Sequence, residues 1–238
     1  MSFYNYNKIK YFKTPLLCRG VGVRLCFSLF LLLPLFSLAH PMDDALKNMS
    51  RTDIGSMYLK LGFEHIIPLG LDHILFVVCV FLLQPKLKTV IWQATAFTVA
   101  HSITLGLAMY QIIEPPIHIV EPIIALSIAF VAIENIIVDK LKPARVVLIF
   151  IFGLIHGVGF ASVLTDLGLP QKEFFTSLIT FNLGVELGQI TVIIACWLLF
   201  GKWFSEKPWY KKRIVIPLSA IIGLIGLYWT VERIFFNS

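Results

Sequence analysis

The sequence predicts an all-α integral membrane protein: a six-helix transmembrane bundle behind a cleavable signal peptide. Three observations carry that prediction. Hydrophobic residues make up 58% of the 238 and charged residues only 14%, well under the quarter or so of a soluble chain. Apolar runs close to 20 residues long recur, separated by Pro, Gly or charge. A basic leader with a short apolar core stands at the front.

Residues 1–39 have the three parts of a secretory signal. Lys8, Lys10, Lys13, Arg19 and Arg24 form the positive region, Leu25 to Phe36 the apolar core, and Ser37-Leu38-Ala39 a small-residue cleavage site. Cleavage after Ala39 leaves His40 at the new N-terminus, where amine and imidazole together can chelate a metal; nothing else nearby supports that role. Residues 40–63 mix charge with Leu, Met, Tyr and Phe, the pattern of a short extracytoplasmic amphipathic lead-in at the membrane surface. Six spans follow over 64–238, approximately 66–83, 90–110, 117–138, 146–164, 174–200 and 214–235. A signal peptide places the mature N-terminus outside the cytoplasm, and six spans return the C-terminus there. The loops agree. Lys86 and Lys88, then Lys140, Lys142 and Arg145, then Lys202, Lys207, Lys211, Lys212 and Arg213 fall on the cytoplasmic side, while the outer loops between spans hold Lys172 alone.

The net charge of +6 is therefore a matter of topology, and nucleic acid is not an expected partner; the lipid bilayer is. No nucleotide-binding loop is present. Cys79 and Cys196 lie singly inside spans and read as small packing residues.

The informative residues are polar ones inside the spans. His65 stands at the outer end of the first, followed by Asp72 and His73; on one continuous helix His65 and Asp72, seven apart, share a face. The second carries Thr98, His101 and Ser102, the third Glu121 at its outer boundary, Ser127, and Glu134 near its inner end. The fourth has His156 among Gly153, Gly157 and Gly159. The fifth sets Asn182, Glu186 and Gln189 on one stripe and Gly184 and Gly188 on another. These glycine faces suit tight helix contacts, within the chain or between copies in an oligomer. The sixth span looks like scaffold.

Asp72, His73, His101, His156, Asn182 and Glu186 all fall within about two helical turns of the midplane. A carboxylate there costs on the order of 2.5–3.5 kcal/mol, and no Lys or Arg lies inside the first five spans as drawn. Protonation, hydrogen bonds to His, or a bound cation must compensate. Imidazole with carboxylate suits Ni²⁺, Zn²⁺, Co²⁺ or Cu²⁺. The expected ligand set is Asp72, His73, His101, His156 and Glu186. Asn182, Gln189 and His65 stand behind them, and His40, Glu121 and Glu134 last, the two glutamates as entrance, exit or helix-end groups. The bland alternative is a hydrogen-bond network that only joins helices.

The stretches Gly70-Leu-Asp-His-Ile-Leu-Phe76, Ala96-Phe-Thr-Val-Ala-His-Ser-Ile-Thr-Leu105, Ile124-Ala-Leu-Ser-Ile-Ala129, Phe152-Gly-Leu-Ile-His-Gly-Val-Gly-Phe-Ala161 and Phe181-Asn-Leu-Gly-Val-Glu-Leu-Gly-Gln189 resemble the HupE/UreJ family of bacterial membrane proteins. That resemblance implies a multi-pass protein of the inner membrane and, through members regarded as nickel permeases, a divalent-metal transporter with nickel as first substrate. It carries over Asp72-His73 directly. The family's first-span pattern has five residues between its His and Asp, whereas six separate His65 from Asp72 here. The family's His-Gly pair is followed by a Glu on the same helix, whereas here the nearest Glu is Glu186 on the next. Two other readings stand beside transport: an intramembrane metal-dependent hydrolase using the same cluster, and an accessory subunit that transports nothing.

Overall fold

The structure, a computed structural model, describes residues 49–236 except 115, 140, 162–163 and 165–172. The leader, its cleavage site and His40 lie outside the described residues. Among those described the fold is all helical, with no strand.

Seven helices organise it: α1 (Arg51–Ile66), α2 (Leu71–Leu83), α3 (Leu87–Met109), α4 (Ile117–Ile137), α5 (Ala144–Gly159), α6 (Phe174–Cys196) and α7 (Ile216–Phe235). π-helical turns over Trp197–Gly201 and Lys211–Val215 extend α6 and lead into α7. Length and composition make four segments candidate membrane spans: Leu87–Met109, Ile117–Ile137, Phe174–Phe204 and Lys211–Phe235. A fifth is added if α1 and α2 count as one bent span, and α5 is a shorter apolar helix. Each candidate keeps large apolar side chains exposed, such as Trp92, Phe130, Ile179 and Leu224. Facing water these would be a liability; facing lipid they are what a span requires.

The first apolar run departs from its expected form. The sequence predicts an unbroken span over 66–83, but the chain bends by 69° between α1 and α2. Pro68 supplies the reason, since it donates no backbone N–H and pushes Ile67 out of helical conformation. Gly70 then caps α2 where the chain folds back so closely that a Cβ would lie 2.2 Å from the His65 carbonyl oxygen. His65 and Asp72 therefore belong to different helices and share no helical face.

Helix α1 is a member of the bundle. Ser50 caps it, its Oγ accepting from the Asp53 N–H at 3.2 Å, and buried Ile54 and Tyr58 turn inward. It lies along α6 at backbone contact: a Cβ on Gly62 would sit 1.9 Å from the Phe181 carbonyl oxygen, and one on Gly184 would sit 2.1 Å from that of Leu59. In the same way α5 lies along α3, and α7 along α4. Between these pairs runs α2, whose Cys79, Phe81 and Leu82 are fully buried. The glycines that suited contact between copies are used within the chain: Gly153 and Gly157 press on α3, Gly184 and Gly188 on α1, and Gly159 on Ile124 of α4.

Because backbone cannot yield as a side chain tip does, Gly184→Val should lower stability by about 1–3 kcal/mol or more. Leu183→Val, at a half-exposed neighbour on the same helix, should stay within about 0.5 kcal/mol. Thermal melts of both variants in detergent check this.

Candidate metal centre

Four histidines from four helices meet at the centre of the bundle. His65 closes α1, His73 lies in the first turn of α2, His101 on α3 and His156 on α5, and all four are at most 4% exposed. The His73 ring centroid is 4.7 Å from that of His65, 4.9 Å from His156 and 6.0 Å from His101. One ligand nitrogen from each of His65, His73 and His101 can be chosen so that all three lie within 4.8 Å of one another. Among the described residues this trio is the group with metal-binding spacing, and it contains no carboxylate.

The hydrogen bonds determine which nitrogen each ring offers. Asp72 Oδ1 stands 3.1 Å from His73 Nδ1 and also accepts the His73 backbone N–H at 2.9 Å. A carboxylate only accepts, so Nδ1 carries a proton and Nε2 is the nitrogen left for a ligand. On α6, Asn182 gives its Nδ2 to the Leu178 carbonyl at 2.8 Å, which turns Oδ1 toward His101 Nδ1 at 3.1 Å. His101 is thereby protonated on Nδ1 as well. Ser127 donates its hydroxyl to the Ile124 carbonyl at 2.7 Å, so the proton in its 3.0 Å contact with His156 comes from His156 Nε2. The remaining nitrogens, Nε2 of His73, Nε2 of His101 and Nδ1 of His156, are buried with no hydrogen-bond partner. Fixing one imidazole nitrogen with a polar partner while the other presents a lone pair is how proteins orient metal ligands. Buried basic nitrogens left unpaired are otherwise costly.

The expected residues divide on this geometry. His73 and His101 join the central group, and His156 stands against His73. Asp72 and Asn182 touch the rings from behind. His65, expected at the outer rim, lies inside the group, because the bend at Pro68 ends α1 over α2. Glu186 turns sideways: Oε1 accepts from the Thr95 hydroxyl at 2.6 Å, while Oε2 is buried without a hydrogen bond. Gln189 Oε1 accepts from Thr98 at 3.2 Å. Both therefore fasten α6 to α3. Glu121 takes part through its backbone carbonyl.

Glu134 belongs to a different network. Its carboxylate pairs with Arg145 Nη1 at 3.0 Å, and Arg145 Nη2 donates to Asn135 Oδ1 at 3.0 Å. Asn135 in turn donates to the Cys79 carbonyl at 2.7 Å and to Ser219 at 3.2 Å, which ties α5, α4, α2 and α7 together. Arg145, expected in a cytoplasmic loop, is 2% exposed. Helix α7 also supplies a cation, since Arg233 Nη2 lies 3.8 Å from Asp72 Oδ2. Intramembrane charge is thus compensated in part by arginine. Both arginines sit within a turn or so of an apolar run's end, Arg145 just outside the fourth run, where it is counted with the loop, and Arg233 just inside the sixth.

A profile described as HupE / UreJ protein matches residues 28–233. The chain belongs to the HupE/UreJ family. That family is associated with nickel and cobalt transport, and the histidine group gives this member residues suited to handling a metal. No curated protein and no solved structure gives a match.

Arg145 is buried enough that losing its partner should matter. Glu134→Leu should destabilise by about 1–3 kcal/mol, and Arg145→Met combined with it should recover part of that loss. A double-mutant cycle on unfolding in mixed micelles reads the coupling.

Proposed function

We propose that this HupE/UreJ protein is an inner-membrane permease that carries a divalent transition metal, nickel first, through a six-span bundle delivered by a cleaved signal peptide. Mature N- and C-termini lie outside the cytoplasm. The observation that supports it best is the gathering of buried imidazoles at the centre of an apolar fold, with unpaired nitrogens on His73, His101 and His156 and family membership behind it. Neutral imidazole suits Ni²⁺, Co²⁺, Zn²⁺ and Cu²⁺ and offers little to Ca²⁺ or Mg²⁺. Three nitrogens within 4.8 Å of one another would draw together around an ion with metal–nitrogen bonds of about 2.0–2.1 Å. His65, His73 and His101 are assigned as first ligands, and His156 as the next residue to take the ion.

The hydrolase reading needs a carboxylate poised to activate bound water. Asp72 is engaged with His73, and Glu186 is turned toward Thr95 and lies outside the group with metal-binding spacing, so transport is favoured.

The reading is tested with protein reconstituted in proteoliposomes. Ni²⁺ should bind once per chain and cross the membrane. His73→Ala should abolish uptake. Asn182→Ala, which touches no metal but frees His101 from its fixed tautomer, should weaken binding about 10–100-fold. Stoichiometric binding without any uptake of Ni²⁺, Co²⁺ or Zn²⁺ would overturn transport.

A further inference from the structure

Arg233 is a fixed positive charge at the edge of a site read as binding a cation. It is held there without Asp72: Nη1 donates to the Glu121 carbonyl at 2.9 Å, and the guanidinium carbon lies 5.8 Å from the Trp229 ring centroid. Its approach to Asp72 Oδ2, at 3.8 Å, is longer than the 2.7–2.9 Å or so of a charge-assisted hydrogen bond. Asp72 meanwhile gives Oδ1 to His73 twice over. Arg233 therefore contributes a charge rather than a bond. It does so in a half-buried position, its side chain 18% exposed, where water screens little.

We infer that Arg233 is an affinity-limiting residue: a tethered cation that offsets Asp72 in the empty site and opposes the divalent metal once it binds, so that the metal can leave again. The inference rests on the metal-permease reading above. Before metal enters, the fixed charges at this edge of the site are one carboxylate and one guanidinium, Asp72 and Arg233, a balanced pair that is inexpensive to keep in the membrane. Loading adds two positive charges that the guanidinium repels. Without Arg233 the site becomes an unbalanced anionic well that binds metal more tightly and releases it more slowly. A permeation site must bind strongly enough to admit an ion and weakly enough to free it, and Arg233 shifts that balance toward release. A purely structural arginine predicts the opposite sign, since its loss would disorder Asp72 and weaken binding.

Ni²⁺ titration of the purified full chain by calorimetry, paired with Ni²⁺ uptake by proteoliposomes, separates the two. Arg233→Gln should bind Ni²⁺ at least about tenfold more tightly than wild type and turn over more slowly, and Arg233→Lys should restore both values to within about threefold. Asp72→Asn/Arg233→Gln should show a much smaller gain over Asp72→Asn than Arg233→Gln shows over wild type. If Arg233→Gln does not fold, Arg233→Cys is purified and then alkylated to carry either an ammonium or a neutral amide; the neutral adduct should bind tighter by a similar factor. A folded neutral variant with unchanged or weaker Ni²⁺ affinity overturns the role of Arg233 and leaves the permease reading standing. Wild-type protein that binds no Ni²⁺, Co²⁺ or Zn²⁺ overturns both.

Discussion

Backbone contact between α1 and α6, at Gly62 against Phe181 and Gly184 against Leu59, fixes where the histidine group can form. With a side chain at either glycine the helices would separate and carry His65, three residues beyond Gly62, away from His101 and Asn182. The same economy is repeated on the other side of the site. A Cβ on Gly157 would lie 2.2 Å from the His101 carbonyl oxygen, and Thr104 Oγ1 donates to the Leu154 carbonyl at 2.7 Å. His156, one residue before Gly157, is thereby held against α3. In lipid there is no hydrophobic force between helices, so van der Waals contact at small residues and interhelical hydrogen bonds must set the geometry.

The polar partners complete what packing begins. Each of His73, His101 and His156 is tied at one nitrogen by a group that is itself committed elsewhere: Asp72 to the His73 backbone, Asn182 to Leu178, Ser127 to Ile124. Those second commitments remove the freedom to exchange tautomers. They also explain why Asn182, which sequence spacing ranks among the weaker ligands, matters without touching an ion. The site is preorganised by neighbours rather than by its own members.

The composition, the leader-like start and the depth of the polar residues were enough to read a helical membrane protein with histidines gathered from several helices, and the motifs were enough for its family. What escaped was decided by three dimensions. Pro68 and Gly70 are plain in the sequence, but inside an apolar run they do not reveal a 69° bend, and a straight helix puts His65 at the outer rim. Ser127 looked like any hydroxyl bonding back to its own helix; only the approach of α5 makes it the partner of His156. Glu186 stands at the right depth but on the wrong face, toward Thr95. Arg145 and Arg233 were hidden by their position near helix ends, because one-dimensional charge counting cannot tell a residue that snorkels outward from one that folds back to a buried acid.

The break between α1 and α2 also orients two dipoles. Helix α1 ends at His65-Ile66, so its electronegative pole arrives beside the imidazoles, with the Phe63, Glu64 and Ile66 carbonyls taken up by the N–H groups of Ile67, Leu69 and Gly70. The electropositive pole of α2 arrives there too, but Asp72 occupies its first turn and accepts a backbone N–H, which quenches it. The backbone field over the histidines is then weighted toward the α1 carbonyls. A continuous helix through this region would have cancelled its internal dipoles and offered the site side chains alone. By interrupting it, the chain gives an approaching cation an attraction that carries no ionisable group, cannot be neutralised by a proton, and adds no formal charge to the membrane interior.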